Sequence, residues 1–202
     1  MVIPEGILSH LAPYHCFLDP EAEIHDLLST FAATAAGAFL EIGTHRGYTS
    51  AAIALAFPQA RVVTLDLPDS LRTQWNPLPR HLVGEAHRAL GVAQRIEQRF
   101  MDSSELWRLT GRGEVYDLIF IDGDHSSDAV FRDLILAADL VSRDRGMIVA
   151  HDYTDASEPH RPSWTLGVQQ AVDRFLAVRP FRKRRLAGLL LALERCAIRP
   201  PE

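Results

Sequence analysis

Phe39-Leu40-Glu41-Ile42-Gly43-Thr44-His45-Arg46-Gly47-Tyr48-Thr49-Ser50 decides how this chain is read. Ala38, Phe39, Leu40 and Ile42 make the short apolar run of a strand covered on both faces. Gly43 permits a tight turn or a close approach of backbone to a ligand. Gly47 lets the loop fold back, and Thr49 or Ser50 is expected to cap a helix through Ala51, Ala52, Ile53 and Leu55. The unpaired N–H groups at such a helix start favour a polar or anionic group. In an open α/β sheet, ligands sit at the carboxyl ends of the strands. The spacing is E-x-G-x-x-x-G. A dinucleotide fingerprint needs G-x-G-x-x-G, and a phosphate loop needs a Lys after its last glycine; neither is present. A plain strand-to-helix turn without a ligand remains the alternative.

Upstream, Asp19-Pro20-Glu21 reads as an N-cap, a first-turn proline and a first-turn acid. Ile24, Leu27, Leu28, Phe31 and Ala35 follow at helical spacing, and Gly37 is the expected residue after the helix end. Residues 1–18 have no clear period and read as an arm. Downstream, residues 61–66 read as a second strand closing on Asp66, about twenty residues past the glycine loop, where an acid can accept both hydroxyls of a ribose; an ordinary strand-end or cap aspartate is the alternative. Residues 67–80 carry Pro68, Trp75, Pro77 and Pro79 and read as a long loop of the kind that often has a function. A helix is expected over residues 81–90 and a third strand over residues 95–100. Asp102 and Ser103 follow that strand, with Ser103 or Ser104 as the expected cap of a helix over residues 105–109.

Residues 115–121 give the strongest buried-strand signal, ending in Asp122-Gly123-Asp124-His125. A helix over residues 127–141 leads to a fifth strand over residues 146–150, which ends in His151-Asp152-Tyr153. A helix over residues 167–178 and one or two terminal strands, turning near Ala187-Gly188, complete the pattern. Strands alternating with helices predict an α/β, doubly wound, mostly parallel sheet with helices on both faces. Glu41, Asp66, Asp102, Asp122, His125, His151 and Asp152 then fall at strand carboxyl ends.

The 202 residues are 47% apolar and 23% charged, which suits one domain, with residues 1–36 as arm and helix and residues 37–202 as core. A net charge of −5 argues against nucleic acid or an anionic membrane as partner. The basic run Arg182-Lys183-Arg184-Arg185 reads as a solvated strand end. Cys16 and Cys196 lie far apart, so a reduced cytoplasmic setting is expected. A homo-oligomer is left open.

Over nearly its whole length the order of motifs resembles the class I S-adenosylmethionine-dependent methyltransferases. More narrowly it is similar to the small-molecule O-methyltransferases of the macrolide-sugar and catechol type. The glycine stretch carries part of the likeness; I-F-I-D-G-D-H followed by a helix and then I-V-A-H-D-Y carries it more specifically. The resemblance implies a seven-stranded Rossmann-like sheet whose last strand is antiparallel. It implies S-adenosylmethionine held by Glu41, Gly43, Thr44, Gly47, Tyr48, Thr49, Asp66, Leu67, Asp102, Ser103 and Asp122. The metal-using relatives hold a divalent ion at the ends of the fourth and fifth strands, so Asp122, His151 and Asp152 become candidate ligands. His151 departs from the carboxylate expected there, and imidazole suits Mn, Zn or Fe better than Mg. A metal-free polar cluster is the other reading of these residues.

Relatives carry their catalytic base where His125 stands. A neutral imidazole there would take the proton of an acceptor hydroxyl. The expected activity is methylation of a small hydroxylated molecule. A metal-dependent oxygenase of the same fold subgroup and a non-catalytic cofactor-binding module are the alternatives. Tyr14, Trp75, Tyr153 and Trp164 are candidates for an apolar acceptor pocket, or for ordinary packing.

Overall fold

A computed structural model describes residues 9, 11, 20–74, 77–158 and 162–196. Most of the expected arm, the Asp19 cap, Tyr14 and Trp75 lie outside the described residues; Leu11 of the arm is buried in the core. Helix α1 spans Pro20–Ala33, with Pro20 as its first residue, where a missing N–H costs nothing. Strand β1 is Ala38–Ile42 and helix α2 is Tyr48–Ala56. Strand β2 is Arg61–Asp66, helix α3 is Glu85–Ala89 and strand β3 is Ile96–Phe100. A short helix α4, Trp107–Thr110, precedes strand β4, Leu118–Ile121. Helix α5 is Ser127–Leu140, strand β5 is Met147–Ala150 and helix α6 is Thr165–Val178. Strands β6, Phe181–Arg185, and β7, Leu191–Arg195, follow.

The seven strands form one sheet in the order β3-β2-β1-β4-β5-β7-β6. All pairings from β3 to β5 are parallel, and β7 runs antiparallel to both β5 and β6. The order reverses direction between β1 and β4, so the loops after those two strands diverge to opposite faces and leave a crevice. Alternation along β1 decides which side each residue serves. Phe39 packs with α1 and α2, including Phe31 and Ile53, whereas Leu40 and Ile42 pack with α5 and α6. Both faces are covered, which is why the central strands read as nearly continuous apolar runs.

Several boundaries differ from expectation. Helix α2 starts at Tyr48 behind Gly47, which is left-handed (φ 81°); Thr49 and Ser50 lie inside the helix, buried, and do not cap it. Helix α1 stops at Ala33, leaving Ala35 exposed, and the left-handed residue after it is Ala36 rather than Gly37. Gly37 instead donates its N–H to Asp117 Oδ2 at 3.0 Å. The helix expected over residues 81–90 is a 3-10 turn followed by α3, broken at left-handed Gly84. Asp102, not Ser103 or Ser104, caps the turn that follows β3, accepting the Ser104 N–H at 2.7 Å. The basic run is no strand end but β6 itself, an edge strand whose Arg182 and Arg184 both pair with Glu194. Charge along a sheet edge opposes unwanted strand addition.

Candidate active site

The glycine loop folds back because Leu65 at the end of β2 accepts two N–H groups, from Gly43 at 2.9 Å and Thr44 at 3.0 Å. Gly43 has φ 99°, and a Cβ there would lie 2.1 Å from the Asp122 carbonyl oxygen. Only glycine lets the loop after β1 touch the loop after β4. At Gly47 a Cβ would lie 2.4 Å from His87 Nε2, so the second glycine makes room for a buried ring of α3.

Glu41 does not face this crevice. It lies beneath α2, buried, and accepts a hydrogen bond from Thr64 Oγ1. Thr64 is bonded to Thr44 Oγ1 at 2.7 Å, which in turn accepts from Gln98 Nε2 at 2.9 Å. Burial pushes the Glu41 carboxyl up to about 8, outweighing the hydrogen bonds from Thr64 and Ser50 that pull it down. It is therefore a neutral acid at pH 7, linked through Thr64 to Thr44 of the glycine loop. Ser50 Oγ continues the chain to His87 Nε2 at 2.7 Å. Burial lowers His87 to about 4, so that ring is neutral. Tyr48 and Thr49 are likewise buried in α2.

Asp66 closes β2 beside the glycine loop. Its Oδ2 accepts the His45 N–H at 2.9 Å, and its Oδ1 accepts the Leu67 N–H at 2.8 Å and Arg72 Nη2 at 2.6 Å. His45 is left-handed (φ 48°), which turns its N–H toward that carboxylate. A pair of ligand hydroxyls has to share Asp66 with Arg72 or displace it. Asp102 and Ser103 follow the end of β3. The Ser104 hydrogen bond holds the Asp102 carboxyl below its ordinary value, and Ser103 Oγ takes a long bond from Arg132 at 3.3 Å.

Four of the expected residues converge at the ends of β4 and β5. His151 Nδ1 is 3.0 Å from Asp122 Oδ1 and 3.7 Å from Asp152 Oδ2. His125 Nε2 is 3.0 Å from Asp152 Oδ2 and 3.9 Å from Asp122 Oδ1. Asp152 is left-handed (φ 56°), a conformation that Asp tolerates better than most residues and that functional sites often use. Burial works to raise Asp122, but the two imidazoles outweigh it and hold that carboxyl at about 2. Hydrogen bonds to Asp122 and Asp152 push His125 up to about 10. The expected neutral imidazole is thus corrected: between two carboxylates the ring is a cation at pH 7. His151 is raised as well, because Asp122 and Glu23 outweigh the opposing effect of burial.

Asp122, His151 and Asp152 offer one ligand atom each, all within 4.8 Å of one another. That is close enough for one small ion. One imidazole and two carboxylates suit Mn, Fe or Zn. The far nitrogen of His151 faces a carboxylate, the usual second partner of a metal-binding histidine. The residues present fit a divalent ion.

Three residues of this neighbourhood have no site role in the sequence reading. Glu23 of α1 is fully buried and reaches His151. Its signal was legible, since it falls four residues before Leu27 on the apolar stripe, where a charge needs a buried partner. Arg72 and Gly167 gave no such signal. A Cβ on Gly167 would lie 2.1 Å from the His125 carbonyl oxygen, so the start of α6 rests directly on the His125 loop. Trp164 and Leu166 stand exposed at that same helix start. Tyr153 is not part of an open pocket. It is buried, with its hydroxyl donating to Asp155 Oδ1 at 2.8 Å and accepting from Lys183 Nζ at 2.7 Å. No helix among the described residues is long and apolar enough to cross a membrane.

The family described as "Methyltransferase domain" matches residues 40–153. No curated protein matches the chain. Among solved structures, the fold is similar to that of an O-methyltransferase from Bacillus cereus in complex with S-adenosylhomocysteine. The TM-score is 0.64 at 18% identity, over 95% of this chain and 90% of that one. It is also similar to TomG, an O-methyltransferase from Streptomyces achromogenes involved in tomaymycin synthesis, in complex with S-adenosylmethionine. Here the TM-score is 0.65 at 22% identity, over 97% and 92% of the two chains. A methyltransferase from Podospora anserina bound to S-adenosylhomocysteine gives a TM-score of 0.65 at 20% identity, over 96% and 89%.

Proposed function

The chain belongs to the methyltransferase-domain family, and from that premise we propose that it moves the methyl group of S-adenosylmethionine to a hydroxyl oxygen of a small molecule. The observation that carries the reading is a pair of features that lie side by side at the strand ends. A glycine loop pressed onto the Asp122–Gly123 peptide lies beside Asp66, and a histidine–aspartate cluster lies one loop away. The first is a place for a nucleoside. The second is equipment for a proton.

In this reading Gly43, Thr44 and Gly47 shape the cofactor side, with Asp66 accepting ribose hydroxyls and Leu67, Asp102 and Ser103 bordering the base. Asp122 stands between the two halves. Methyl transfer needs the acceptor oxygen in line with the sulfonium methyl at about 3 Å. His125 is the group placed to take that oxygen's proton. Asp122 and Asp152 keep it protonated while they face it alone, so its work as a base requires those carboxylates to be engaged elsewhere. Asp122, His151 and Asp152 would hold a divalent ion; such an ion, when bound, lowers the pKa of an acceptor hydroxyl. Trp164 and Leu166 are exposed beside the His125 loop, which supports an acceptor with an apolar body. One continuous sheet with α1 packed on it supports the single-domain reading.

Calorimetry with S-adenosylmethionine and S-adenosylhomocysteine tests the first half, and failure of both to bind at about millimolar concentration would sink it. Transfer of labelled methyl to a panel of apolar alcohols and phenols tests the second.

A further inference from the structure

Helix α1 lies outside the family-matched residues 40–153, yet it delivers a carboxylate to the site. Glu23 is 0% exposed, and an acid buried that deeply must be paired and hydrogen-bonded. Its two oxygens have separate partners. Oε1 accepts the Leu189 N–H at 2.9 Å, and Oε2 lies 3.4 Å from His151 Nε2. The turn over residues 186–190 is moulded around it: Gly188 is left-handed (φ 55°), and a Cβ there would lie 1.8 Å from Glu23 Oε1.

An imidazole can sit in one slot in two orientations that differ by a half-turn of the ring. The packing neighbour Phe120, 6.0 Å away centroid to centroid, is apolar and does not distinguish them. A half-turn would put carbon atoms where His151 now presents nitrogen to Asp122 and to Glu23. Asp122 cannot decide the matter alone if it also serves a ligand. We propose that Glu23 is a positioning residue: by accepting the Nε2–H of His151, it keeps Nδ1 turned toward Asp122 and Asp152. The inference rests on the reading of those three residues as a divalent-ion site. A carboxylate behind a histidine orients the ring and leaves the near nitrogen's lone pair for the ion.

The neighbouring acid supplies a control. Asp26, one turn on, accepts the Ala187 N–H at 2.8 Å, so it anchors the same turn without being bonded to His151. Mn²⁺ affinity is measured by calorimetry for the native chain and for Glu23→Ala, Glu23→Gln and Asp26→Ala, each checked for folding by urea titration. Both Glu23 variants should bind Mn²⁺ about 10–100-fold more weakly, and Asp26→Ala should match the native chain. Glu23→Gln is the sharper case. Its single oxygen serves Leu189, and its amide then turns an N–H toward Nε2, which favours the proton on Nδ1. A Gln variant with native affinity, or an Asp26 variant as weak as Glu23→Ala, overturns the proposal. If the native chain binds no Mn²⁺, the ion reading falls, and a crystal structure of Glu23→Ala decides the rest. A turned or displaced His151 ring supports the positioning role; an unmoved ring overturns it.

Discussion

Replacing Glu41 with glutamine should change how stability depends on pH more than it changes stability itself. The folded chain holds the Glu41 carboxyl at about 8, against 4.5 for an exposed glutamate. Below 4.5 the group is protonated in both states and contributes no pH dependence. As pH rises from 4.5 toward 8 the unfolded chain gives up its proton and the folded chain keeps it. Each unit in that window therefore lowers the stability of the native chain, by up to about 1.4 kcal/mol. Above about 8 the loss levels off. A glutamine side chain has no proton to lose, and it matches the neutral acid in shape. Its carbonyl can still accept from Thr64, and its amide can donate to Ser50. Urea unfolding of both proteins at about pH 5.5 and about pH 7.5 isolates the effect, because every other titrating group cancels in the difference. Two units at the full slope give about 2.7 kcal/mol, so the variant should gain about 2–3 kcal/mol on the native chain over that interval. Parallel pH profiles, or a variant that loses ground as pH rises, would show that Glu41 is ionised in the fold and that its burial has been misjudged.

Asp66→Ala should weaken S-adenosylhomocysteine binding by about 1–3 kcal/mol in calorimetry, through loss of charge-assisted hydrogen bonds. His125→Ala should slow methyl transfer roughly 10²–10⁴-fold and leave that affinity nearly unchanged; equal damage to both would mean that the acceptor side has been misplaced. Gly167→Ala pushes a methyl group against the His125 carbonyl, so kcat should fall roughly 10-fold with little change in cofactor KM, as single-turnover kinetics would reveal. Gly43→Ala combines a left-handed backbone with a clash against Asp122, and urea titration should find it about 3 kcal/mol less stable.

The fold was legible in the sequence because its signals are local. A buried parallel strand announces itself as an apolar run; β2 closes on Asp66, and β4 and β5 stop at the residue before Asp122 and His151, as the reading expected. Helix ends were harder. Ala36 adopts the left-handed turn for which Gly37 was the better-suited residue, since Gly37 is needed against the Asp117 carboxylate, 80 residues away in sequence. The site was legible as an address and not as a geometry. Strand-end position brought Asp122, His125, His151 and Asp152 together correctly, but strand-end position also nominated Glu41, which alternation along β1 turns into the layer beneath α2. Charge states lay further out of reach. Nothing in Asp122-Gly123-Asp124-His125 says that the imidazole will sit between two carboxylates, because the second of them arrives from residue 152. Gly167 was missed for the same reason, since it acts on a partner that only the folded sheet supplies; Glu23's burial was legible on the apolar stripe, but its partner, 128 residues away, was not.

The position of β7 has a consequence for how the chain is made. Among the described strands it is the last in sequence, yet it lies between β5 and β6. A nascent chain that has emerged as far as residue 190 has β5 with one side unpaired and β6 with no neighbour among the described strands. Unpaired edges invite association while the chain is still growing. Strand β7 must slide into a gap held open for it, rather than be added at a rim. Loss of a few residues after Leu190 would therefore remove an interior strand, and release β6 with its arginines, where trimming a terminal edge strand would leave the rest of a sheet intact.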